Sequence, residues 1–199
     1  MSAPASRGRK SGLTLIETMV VLAVASVLVV LAAPSFKRMI DLQRLRGINA
    51  GLVTDLQFAR AEAASRNRQV WVRFGSTPQL TCYVVVAGDA TACDCGAAPG
   101  TAVCAAMSGA VEIRTVQVPR STGITVSLAP NQTLSTMGFD PATGRLMVLP
   151  LDVPEPATAP FRVQVQHQEL GGFIDAVEVT GRPSVCSPSA RISGAPACS

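Results

Sequence analysis

Glu17 places a carboxylate among aliphatic neighbours, inside the run GLTLIETMVVLAVASVLVVLAAP at residues 12–34. A charge at the centre of a membrane-spanning helix costs about 2.5–3.5 kcal/mol, less near an interface, and such residues normally have a partner. Nothing inside the run can neutralise it, so the partner must be the chain's own new N-terminus, lipid or another subunit. The other reactive side chains are six cysteines, Cys82, Cys93, Cys95, Cys104, Cys186 and Cys198. An even count beyond an export-type segment points to an oxidising compartment and to disulfides, whose pairing stays open. A zinc site on the first four competes with that reading, but their spacing lacks the paired Cys-x-x-Cys knuckles of structural zinc. The only histidine, His167, shares a strand face with Phe161, Val163 and Val165, which suits a core position better than a catalytic base. Carboxylates are scattered, and neither a phosphate loop nor a nucleophile elbow occurs. These features predict no enzyme, no cofactor and no metal.

The element that carries Glu17 must be a helix. From Leu13 to Ala33, at about 1.5 Å per residue, it spans roughly 30 Å, the thickness of a bilayer core. Arg7, Arg9 and Lys10 in front of it predict a cytoplasmic N-terminus and an exported remainder. A secretory signal fits less well, because the small-residue candidate site at Ala32 and Ala33 runs into Pro34. The formal net charge of +4 is not a property of the whole chain: residues 69–199 carry seven basic and nine acidic side chains. No global field steers a polyanion to that part, so nucleic-acid binding there would need a local patch.

Three features now occur together: a short basic leader ending in Gly12, the residues Leu-Thr-Leu-Ile-Glu at 13–17, and a long apolar helix. This combination closely resembles the class III signal and N-terminal helix of type IV pilins and type II secretion pseudopilins. The resemblance implies that a prepilin peptidase cuts between Gly12 and Leu13 and that the new amine of Leu13 is methylated. It also implies that Glu17 pairs with the N-terminal amine of a neighbouring subunit during filament assembly. Pro34 matches a proline found in many pilins, whereas Leu13 departs from the usual phenylalanine.

Beyond Pro34 the apolar residues Ile40, Leu45, Ile48, Leu52, Leu56, Ala59 and Ala63 recur mostly in steps of three or four, one stripe of an amphipathic helix. Pro34 is expected to kink this helix without ending it. From residue 69 the pattern alternates. Seven or eight short segments rich in Val, Ile, Thr and aromatics, separated by Gly, Pro, Asn and Asp, predict an antiparallel sheet arrangement on the helix. The stretch 88–109 has little to make a core and reads as a loop held by Cys93, Cys95 and Cys104, with Cys82 at its base. A Cys186 to Cys198 staple would close the tail and contribute around 3 kcal/mol. The expected fold is α+β: a leader at 1–12, a helix at 13–68 whose 13–33 part is transmembrane, and a β-rich periplasmic head at 69–199.

The head adds a narrower resemblance. MGFDPATGRLMVLP, then FRVQVQ, then VEVTGRPSVC resemble the C-terminal pattern of the FimT/GspH family of minor pilins and pseudopilins. That family implies a structural subunit of a type IV pilus or a type II secretion pseudopilus. Its partners would be other pilin-like subunits, prepilin peptidase and inner-membrane lipid. Some members bind DNA for natural transformation through a late Gly-Arg-x-Arg motif. Here the motif reads Gly181-Arg182-Pro183-Ser184 and lacks the second arginine, for which Arg191 is the candidate replacement.

Overall fold

The computed structural model describes residues 14–98, 100–188, 192 and 195–198. Its first element is one helix, α1 (Leu15–Arg66), assigned through Pro34, so the proline does not end it. The chain divides into two compact units, one ending at Leu42 and the other beginning at Gln43. In the first unit α1 is apolar and exposed, with Leu15 74%, Val20 55%, Leu28 61% and Val30 72% accessible, and it is long and apolar enough to cross a membrane.

In the second unit the same helix becomes amphipathic. Leu45, Leu52, Leu56, Ala59 and Ala63 are fully buried along the expected stripe. Ile48 is only half-buried, and Asn49 takes the inward place beside it. The observed steps 45, 49, 52, 56, 59 and 63 keep a stricter helical period, with one polar group inside the core.

Ten strands follow among the described residues: β1 (Val70–Ser76), β2 (Leu80–Ala87), β3 (Val111–Pro119), β4 (Ile124–Leu128), β5 (Thr136–Phe139), β6 (Leu146–Val148), β7 (Glu155–Pro156), β8 (Phe161–His167), β9 (Gly171–Val177) and β10 (Pro183–Cys186). They form a six-stranded sheet in the order β3-β2-β1-β5-β6-β7 and a four-stranded sheet in the order β10-β9-β8-β4. Every pairing is antiparallel. The short strands β7 and β10 were not expected. Both contain proline, which lacks a ladder donor and is therefore tolerated on the edges where these strands lie.

β2 is buried almost throughout, because both faces of its sheet are covered. On one face Tyr83 reaches α1, and Phe74 of β1 stands 5.8 Å from Tyr83 and 5.9 Å from Phe161 of β8, joining the two sheets. On the other face Trp71, Cys82, Val84, Val86 and Met147 pack with Ala90, Cys93 and Cys95 from the 88–109 loop. That loop does make a core, contrary to its reading from composition. Its small side chains are anchored by the Cys82–Cys95 and Cys93–Cys104 disulfides, and Arg73 donates to the carbonyls of Ala90 and Thr91. Trp71, 3% exposed, lies flat on Gly138 of β5, where an added Cβ would come 2.4 Å from the indole. A third disulfide joins Cys186 to Cys198.

Candidate functional site

At the start of α1, Thr14 caps the helix: its Oγ1 accepts the Glu17 N–H at 3.3 Å, and its carbonyl accepts the Thr18 N–H. Thr14-x-x-Glu17 has the spacing of a capping box, a signal in the sequence that the apolar run overshadows. Glu17 therefore sits in the first turn, where the helix dipole favours a negative charge by about 0.3–1 kcal/mol. That gain is smaller than the roughly 2.5–3.5 kcal/mol a carboxylate costs deep in hydrocarbon. The Glu17 carboxylate is exposed and has no partner among the described residues. Gly12 and Leu13 lie outside the described residues.

In the head, the two sequence patterns of the narrower resemblance meet. The β5–β6 turn is closed by Asp140, whose carboxylate accepts the Thr143 N–H and hydroxyl at 2.8 and 2.7 Å. The Thr143 side chain leads the bonds that hold the Asp140 carboxyl below its usual range. After β9, a second turn is closed by Gly181 donating to the Glu178 carbonyl at 2.7 Å. Arg60 of α1 ties the two together, donating from Nε to the Gly144 carbonyl at 3.0 Å and from Nη2 to the Thr180 carbonyl at 3.3 Å. The turns approach so closely that a Cβ on Gly181, which has φ +79, would stand 1.9 Å from the Gly144 oxygen. Only glycine fits there.

Arg182 follows this contact and is exposed. With Arg60 it borders a groove of about 670 Å³ floored by Ala61, Ala64, Pro141 and Pro183. Arg191 lies outside the described residues, so the second arginine beside Arg182 is Arg60, far away in sequence. Sequence reasoning had no route to Arg60, because a guanidinium that binds turn carbonyls leaves no motif.

Two further buried carboxyl groups, one on α1 and one on β9, carry no motif in the sequence. Asp55, 2% exposed, accepts the Tyr83 hydroxyl at 2.7 Å and pairs with Arg114 at 3.1 Å. Burial, then the bond to Asp55, raises the Tyr83 pKa. Asp175 of β9 is fully buried, and neither of its oxygens nor Asn49 Oδ1 has a hydrogen-bond partner among the described residues. Burial pushes the Asp175 carboxyl up to about 7, opposed by the Asn49 amide. His167 is buried, and its Nδ1 accepts the Glu169 N–H at 3.1 Å, as a core histidine would. No cluster of three or more His, Cys, Asp or Glu able to hold a metal occurs among the described residues.

Residues 7–33 match the prokaryotic N-terminal methylation motif. Residues 50–180, well over half the chain, match the family described as type II transport protein GspH. The chain belongs to the GspH family. Its α1 followed by antiparallel sheets is the expected α+β arrangement. Its apolar N-terminal helix and methylation motif mark a membrane-anchored subunit that assembles with others of the pilin and pseudopilin type. Among solved structures, the type IV minor pilin FimU of Pseudomonas aeruginosa is similar, at 16% identity over 72% of this GspH-family chain and 88% of that one, with a TM-score of 0.46. No curated protein sequence matches the chain.

Proposed function

We propose that this protein is a minor structural subunit of a type IV pilus or pilus-like filament. Prepilin peptidase cuts between Gly12 and Leu13, and the Leu13 amine is methylated. The chain then waits in the inner membrane as a single-pass protein, its 13–33 segment in lipid and its 69–199 head in the periplasm. On assembly, Glu17 pairs with the Leu13 amine of a neighbouring subunit, which fixes the axial register as the helix leaves lipid for the filament core. The role is structural and includes no catalysis. The observation that carries the reading is the methylation motif spanning a helix start whose carboxylate has no partner among the described residues. The test compares wild type, Glu17→Ala and Glu17→Gln for chain in sheared filaments against chain in membranes, with mass spectrometry of the mature N-terminus. Equal incorporation of Glu17→Ala, or an intact leader in the filament fraction, would overturn the proposal.

The family description favours a second reading, a pseudopilin of type II secretion. Both readings share the same assembly physics. Deleting the gene separates them: loss of surface pili supports the first, and periplasmic retention of normally exported proteins with pili intact supports the second.

A further inference from the structure

The groove beside Arg60 is basic and aliphatic, and neither Arg60 nor Arg182 meets a carboxylate among the described residues. Arg60 spends its bonds on carbonyls, which leave its charge in place. A groove of about 670 Å³ is ample for a short extended segment. Its floor, Ala61, Ala64, Pro141 and Pro183, offers aliphatic contact, and no aromatic ring lines it for base stacking. Two arginines are also few for a polyanion, whose binding scales with the number of phosphates neutralised.

The same chain exposes a segment of matching chemistry. Residues 151–156, Leu-Asp-Val-Pro-Glu-Pro, are all exposed, with Leu151 at 96% and Val153 at 56%. Leu151 and Asp152 hold φ of 49° and 61°, a backbone that non-glycine residues adopt at a cost and that presents the leucine outward. Neither Asp152 nor Glu155 is in a salt bridge among the described residues. One copy thus carries an acidic, aliphatic segment and a basic, aliphatic groove. The two lie close to each other: Pro141 lines both the groove and a neighbouring cavity of about 640 Å³ that Asp152 and Pro154 also line. A two-fold axis placed beside Pro141 would exchange them, the geometry of an isologous contact.

We propose that two copies of this chain pair through their 43–199 units, each seating its Leu151–Glu155 segment in the other's Arg60–Arg182 groove. Leu151 and Val153 cover the alanine and proline floor, and Asp152 and Glu155 meet the guanidiniums. A two-fold contact closes after two copies and cannot propagate along a polar filament. The pair is therefore a state of chains outside the filament, independent of Glu17, and it stands or falls separately from the filament reading.

The test is performed on the full-length chain in membranes, co-expressed in two differently tagged forms, with exposed Ala64→p-benzoylphenylalanine as a photocrosslinker. The expected result is a crosslink between the two tags that maps to residues 150–156. Arg182→Glu should lower its yield about tenfold, as two like charges facing each other would, and adding Asp152→Arg should restore it. Thermal unfolding of each variant establishes that the fold is retained. Crosslinking only within one chain, to a different protein, to nucleic acid or to nothing would overturn the proposal, as would failure of the charge swap to rescue.

Discussion

Glu17 and Asp55 lie on one helix, both among aliphatic neighbours, and they differ in what meets their carboxylates. Asp55 is buried and finds its partners inside the chain, a hydroxyl from β2 and a guanidinium from β3. Glu17 is exposed in an apolar stretch and its carboxylate finds none among the described residues. Asp175 adds a third case, a buried carboxyl that burial pushes toward its neutral form against the opposing Asn49 amide. Asp55 therefore bears on the stability of its own unit, and under the proposed function Glu17 bears on assembly.

The largest effect is expected at Glu17. Glu17→Ala should cut incorporation into filaments by about tenfold or more, the loss of one charge-assisted pair in a low-dielectric setting. The stability of the 43–199 unit should stay within about 0.5 kcal/mol, as for an exposed substitution away from it. A fall in head stability would erase the distinction. The mirror experiment is Asp55→Ala, which leaves the Tyr83 hydroxyl buried without its acceptor. It should cost about 2–4 kcal/mol in denaturant unfolding while leader cleavage proceeds normally. The range is held down because Arg114, 54% exposed, can turn to water.

Asp175 makes stability depend on pH. Its folded pKa of about 7 lies above the ordinary 3.8. Stability from the neutral form is thus fully present below about pH 4, falls as the pH rises towards 7, and is gone above it. Asp175→Asn should be more stable than wild type at pH 8 by about 1–3 kcal/mol, and the difference should shrink at pH 5. Thermal melts at the two pH values read it, and a variant that is less stable at pH 8 would show that the carboxylate has a partner. The smallest effect belongs to Tyr83→Phe. It removes one buried hydroxyl bond but leaves Asp55 its arginine, so a loss of about 1 kcal/mol is expected in the same denaturant assay.

Much of this architecture is legible in the sequence, for reasons tied to particular residues. The buried stripe from Leu45 to Ala63 follows from helical period alone, and β8 shows its alternation openly, with Phe161, Val163, Val165 and His167 on the inner face. Asn49 and Asp55 hide because a polar residue on a helix reads as surface unless its partner is known, and those partners come from distant strands. β7 and β10 hide because proline masks a short edge strand. The Arg60 contact hides for a deeper reason: its acceptors are carbonyls, which every residue owns. Glycine gives the only clue, since Gly144 and Gly181 mark backbone positions that no other residue fills without strain.

Trp71 is the chain's single tryptophan, held against Gly138 beneath the disulfide-anchored loop and far along the chain from the apolar half of α1. Intrinsic fluorescence excited at the indole is therefore a built-in optical reporter of the head alone. It can follow unfolding of that unit in detergent or in vesicles without a label.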